Sequence, residues 1–153
     1  MTSSYESELE ESGKIIFTIN GVSMRPLFRA KTDAILVKKC TPDELKNLDI
    51  VLFMRFSPQG LQYVLHRIVD KTPDGLYVIA GDNCVDADYV RPEDILGVVV
   101  SAQRGNKPIR LEGFRYSLYL KTWCAPYKSR FKRLKLRWRL RSAAKRILFF
   151  WRR

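Results

Sequence analysis

Six short apolar runs fall between residues 14 and 102, and turn-forming segments separate them. They are KIIFTI (14–19), DAILVKK (33–39), DIVLFMRF (49–56), LQYVLHRIVD (61–70), GLYVIAGD (75–82) and ILGVVVSA (95–102). Runs this short, rich in Val, Ile, Leu, Tyr and Phe and bounded by SPQG, TPDG and RPED, read as β-strands. Several are apolar at consecutive positions, which predicts burial on both faces. No long helical period interrupts residues 14–102, and this argues against an alternating α/β fold. SPQG at 57–60 is short enough for a hairpin between the third and fourth runs, and TPDG at 72–75 serves the next pair.

At 153 residues with a 46% hydrophobic content, the chain is expected to be one globular domain. Its start, MTSSYESELEESG, is polar and acidic, so residues 1–13 are read as a flexible acidic terminus rather than a secretory signal. No run approaches the roughly 20 apolar residues of a membrane span. Cys40, Cys84 and Cys124 are widely spaced and include no CxxC pair, which fits free thiols in a reducing compartment better than disulfides or a zinc site. Charge divides the chain. Residues 126–153 hold twelve Lys and Arg and no Asp or Glu, so the tail carries the whole net charge of +12 and the remainder is neutral. The expected organisation is a β domain over 14–110, an aromatic linker over 111–125 and a basic tail over 126–153.

Three features in the body carry chemistry. In NGVSMRPLF (20–28), Ser23 follows Gly21 and precedes Pro26 at a corner that is either an ordinary turn or a presentation device. His66 is the only histidine of the chain. GDNCVDADY (81–89) places Asp82, Asp86 and Asp88 in one loop. Each has an ordinary structural reading. Together they supply a nucleophile, a base and an orienting carboxylate, and such triads are recognised by role rather than chain order.

The joint pattern resembles the type I signal peptidase and LexA-like serine protease superfamily, on its Ser-His-Asp, endoplasmic-reticulum-type branch. GVSMRPLF matches the nucleophile box, DAILVKK and LKNLDIVLF the strands after it, VLHRIV the base box, and GDNCVDADY with DILGVVV the acidic box and last core strand. The resemblance covers roughly residues 14–102. It implies a mostly β, antiparallel, partly closed barrel-like core. It implies Ser23 as nucleophile and His66 as general base. It leaves two candidates for the orienting acid: Asp88, aligned without a gap, and Asp82 of the GDN; Asp86 matches least. Gly21, Ser23 and Met24 take the substrate-binding and oxyanion positions. The residue types fit the chemistry: a serine hydroxyl needs an adjacent base, and histidine accepts and returns a proton near neutral pH. One backbone oxyanion donor is worth roughly 3–4 kcal/mol in general. Neither cofactor nor metal is called for. Two departures stand out: no apolar segment precedes the serine box, and Leu48 occupies a place where the family usually has glycine. With no helix-turn-helix in front, a LexA-type repressor is not expected.

The tail, PYKSRFKRLKLRWRLRSAAKRILFFWRR, is rich in helix formers, and a helix is expected from about Ser129. Leu136, Leu140, Ala143, Ile147 and Phe150 lie on one side, Phe131, Leu134 and Trp138 on another, and basic residues fill the rest. That composition suits an amphipathic helix on an anionic membrane surface. The expectation is a serine endopeptidase held peripherally at a membrane, on its cytoplasmic face, that cleaves a peptide or precursor protein. Cytoplasmic residence is the alternative location. The alternative function is a catalytically silent binding module of the same fold that contacts membrane, nucleic acid or a protein partner through the tail. Nucleic acid ranks below membrane because it gives the apolar residues no role.

Overall fold

The structure, a computed structural model, describes residues 5–150, with side chains described through residue 144. Eight strands form one antiparallel sheet: β1 (Lys14–Thr18), β2 (Asp33–Lys39), β3 (Ile50–Ser57), β4 (Gly60–Lys71), β5 (Tyr77–Ala80), β6 (Asp88–Val90), β7 (Ile95–Arg104) and β8 (Lys107–Pro108). Their order is β1-β2-β7-β3-β4-β5-β6, with β8 on β7, and the sheet is not closed. The two expected hairpins are present: β3 pairs β4 from Ser57↔Gly60 to Ile50↔Arg67, and β4 pairs β5.

Strand alternation sends side chains to two faces. Ile50 and Leu52 join a core with Ile15, Met24, Phe28, Ile35, Val37 and Leu65, whereas Val51 and Phe53 join Ile68, Tyr77, Ile79 and Ile95. This is the two-sided burial that consecutive apolar positions predict. A third patch, Val69, Val78 and Ala80, is covered by Tyr127 and Phe131.

Three helices flank the sheet: α1 (Tyr5–Ser12), α2 (Phe114–Tyr119) and α3 (Tyr127–Phe150), with a π-turn at Leu120–Cys124 between the last two. The helix over Tyr5–Ser12 corrects the flexible-terminus expectation: Leu9 is buried in the main core, and Lys39 pairs with Glu10. The expected linker is likewise folded onto the body. Tyr119 and Trp123 both bond Asp82, and Cys124 is fully buried beside it. The first turns of α3 belong to the body too, because Arg130 and Leu134 are buried while Leu136, Trp138 and Leu140 are exposed. The tail anchors read at residues 147–151 lie beyond the described side chains.

Leu48 has φ +75°, the left-handed conformation glycine adopts at least cost. Its N–H donates to the Ile68 carbonyl at 2.9 Å, and its carbonyl accepts from Arg67 Nη1 at 2.8 Å. The side chain differs from the glycine of the resembled family, yet the backbone takes the shape a glycine favours.

Candidate active site

Ser23 sits in a loop that bridges β1 and β2. The loop is pinned at its neck by the Lys31 N–H on the Ile19 carbonyl (3.1 Å) and inside by the Phe28 N–H on the Met24 carbonyl (3.0 Å). Gly21 has φ +102°, so the bend before Ser23 uses a conformation that side chains disfavour. The Arg25–Pro26 peptide bond is cis. The Met24 side chain does not reach the cavity: it is fully buried beside Phe28 and fastens the loop into the core.

The loop after β5 locks onto the serine loop. The Asn83 N–H donates to the Ser23 carbonyl at 2.7 Å, and Asn83 Nδ2 donates to the Val22 carbonyl at 3.2 Å. Between them lies Gly81. A Cβ there would stand 2.7 Å from the Ser23 carbonyl oxygen, 2.7 Å from Cys84 Sγ and 3.0 Å from His66 Nε2. A side chain there would collide with the serine loop, Cys84 and the imidazole at once.

His66 lies on β4 opposite Val51 of β3, and Asp88 lies on β6 opposite Ile79 of β5. His66 Nδ1 is 3.7 Å from Asp88 Oδ2. Nδ1 is buried and makes no hydrogen bond among the described residues. Asp88 Oδ1 accepts from Arg55 Nη1 at 2.9 Å, and Arg55 Nη2 donates to Gln62 Oε1 at 3.1 Å. Burial pushes the Asp88 carboxyl up, but the imidazole and the Arg55 guanidinium outweigh it and hold the carboxyl below its ordinary value of 3.8. Asp88 therefore stays ionised beside His66 at neutral pH. Shortening the contact by less than about an ångström makes it a hydrogen bond, and such bonds are often long before substrate binds.

Ser23, His66 and Asp88 line one cavity of about 470 Å³, together with Gly21, Arg55 and Asp86. Its apolar wall includes Tyr5, Phe17 and Tyr63. Tyr5 stacks on Phe17 at 5.7 Å and edge-on against Tyr63 at 5.0 Å, so α1 builds part of the site. The size lies within the range of small-molecule and peptide side-chain pockets.

Asp82 lies elsewhere. It is fully buried and does not line the cavity. Arg67 Nε and Nη2 grip its two oxygens at 2.9 and 2.8 Å, Tyr119 donates at 2.8 Å, and Trp123 Nε1 donates to its carbonyl at 2.9 Å. Arg130 approaches at 3.9 Å and donates to the Gly81 carbonyl at 3.2 Å. Burial sends the Tyr119 hydroxyl upward, as it does the Cys124 thiol, which reaches about 11; the Asp82 charge adds to both shifts. Asp82 is a structural hub that joins the helical segment to the cavity loop.

Sequence reasoning missed Gly81, Arg55, Asn83 and Tyr5. Gly81 carried a signal in its GDN neighbourhood. Arg55 carried none, since its partner Asp88 is 33 residues away. Comparison with protein-family models, curated proteins and solved structures returned no significant match to this chain.

Proposed function

We propose that this chain is a serine endopeptidase of the signal-peptidase-like superfamily that acts on a peptide or precursor protein. The observation that carries the reading is that Ser23, His66 and Asp88, from three separate segments, line the same cavity. In this reading Ser23 attacks the scissile carbonyl, His66 takes its proton and returns it to the leaving amine, and Asp88 holds the imidazole and stabilises its charged form. Arg55 positions Asp88. The open antiparallel sheet is, on this proposal, a variant of the superfamily's partly closed barrel.

The tail supports a peripheral place on the cytoplasmic face of a membrane. No helix among the described residues is long and apolar enough to cross one. The exposed stretch of α3 presents Leu136 and Leu140 on one side and Trp138 on another, among basic residues, which supports contact with an anionic surface.

One observation favours a second reading, a silent binding module: the buried His66 Nδ1 makes no hydrogen bond to Asp88, 3.7 Å away. A fluorophosphonate reagent separates the two. The expected result is covalent labelling mapped to Ser23, absent in Ser23→Ala and lost in His66→Ala. Absence of labelling in the folded wild-type chain, with peptide hydrolysis also absent, rejects the protease.

A further inference from the structure

We infer that a second groove, between the serine loop and α3, seats the phosphate of an anionic phospholipid. The inference rests on the peripheral-membrane part of the proposed function and names the site where the headgroup is held. The groove has a volume of about 580 Å³ and is lined by Arg25, Asn83, Trp123, Arg137, Trp138 and Arg141, among others, with no carboxylate in its walls.

Leu134, Arg137, Trp138 and Arg141 follow the spacing of one helix face, so the fold aims this ridge at the groove. Arg137 and Arg141 are one turn apart, a like-charge spacing that disfavours a helix on its own. Among the described residues neither has an acidic partner, nor does Arg25. Arg133 differs, since its guanidinium lies 5.5 Å from the centre of the Trp123 ring. Three guanidiniums therefore line one groove without an acidic partner, and guanidinium is the group that binds phosphate oxygens in pairs.

The neighbouring ridge selects the source of the phosphate. Leu136 and Leu140 are 59% and 62% exposed, one residue before Arg137 and Arg141, hence about 100° around the helix. When the leucine ridge enters the acyl boundary, the arginine ridge lies at headgroup depth. Trp138, 45% exposed, lies beyond the arginines on the groove side, away from the leucines. A nucleic-acid backbone would meet the arginines but leave the leucines in water.

The test uses the full chain and vesicles of phosphatidylcholine with and without phosphatidylglycerol, read by co-sedimentation. Two double variants remove the same charge: Arg137→Gln with Arg141→Gln in the groove, and Lys132→Gln with Lys135→Gln outside it. Loss of two cations near an anionic surface weakens binding by about thirtyfold, and the groove pair is expected to lose about tenfold more. Equal losses overturn the groove and leave the membrane reading standing. No binding of the wild-type chain to phosphatidylglycerol vesicles overturns both. If soluble glycerol phosphate displaces the protein from vesicles completely, or if the chain retards RNA while ignoring vesicles, the lipid assignment is wrong.

Discussion

Asp88 and Asp82 come from one loop and face different surroundings, so the same substitution separates them. Asp88 is partly exposed in the cavity between His66 and Arg55, and its loss leaves the core intact. Asp88→Asn is expected to lower turnover by about two to four orders of magnitude with little change in melting temperature. Asp82→Asn removes the charge that answers the fully buried Arg67, and breaking a buried pair on one side costs about 3–5 kcal/mol. Thermal melts and peptide hydrolysis on both variants check this; a stable, inactive Asp82→Asn with an active Asp88→Asn would reverse the assignment. At this scale the candidate residues were legible because a sole histidine, an acidic loop and a serine at a Gly/Pro-flanked corner are local features. The sequence could not rank the two aspartates, since what distinguishes them is burial and the distant partners Arg55, Arg67 and Tyr119.

The six strands read from the sequence were legible because they are rich in β-branched, Leu or aromatic residues and punctuated by turns; β2 falls on 33–39 as expected. The short β6 and β8, three and two residues long, are defined by their neighbours rather than by any period of their own. Helix α1 escaped for a related reason: in YESELEES only Tyr5 and Leu9 meet the body through apolar groups, and two such residues make too short a stripe to read. Two substitutions test these elements. Leu9→Ala is expected to destabilise the protein by about 2–4 kcal/mol, measured by urea unfolding; a change below about 0.5 kcal/mol would mean that α1 is not docked. Gly97 on β7 faces β2 so closely that a Cβ would lie 2.5 Å from the Lys38 carbonyl oxygen. Gly97→Ala is expected to cost about 1–3 kcal/mol as the strands part, and an unchanged unfolding midpoint would contradict that packing.

Over the whole molecule, acid stability should follow the buried Asp33. The Arg104 guanidinium, gripping both its oxygens at 2.8 and 2.7 Å, outweighs the effect of burial. With the Arg29 N–H and the Thr32 hydroxyl it holds the carboxyl below its ordinary value of 3.8. A carboxyl depressed by folding contributes fully above its unfolded value and loses that contribution as pH falls through the folded one. The stability gap between wild type and Asp33→Asn is therefore expected to be wide at neutral pH and to close below about pH 4, measured by melts across an acid series. A gap independent of pH would show that the ion pair is not its source. The hub at Asp82 adds an order in time. Tyr119, Trp123, Cys124 and Arg130 are all translated after the segments that carry Ser23, His66 and Asp88. At about 5–20 residues per second, the ribosome leaves the loop over 81–88 open to water for roughly several seconds before its cover arrives. Arg67 and Asp82 are thus synthesised before the Tyr119, Trp123 and Arg130 side chains that surround them in the folded protein. A growing chain holds every residue that lines its cavity before it holds the segment that buttresses the loop between them.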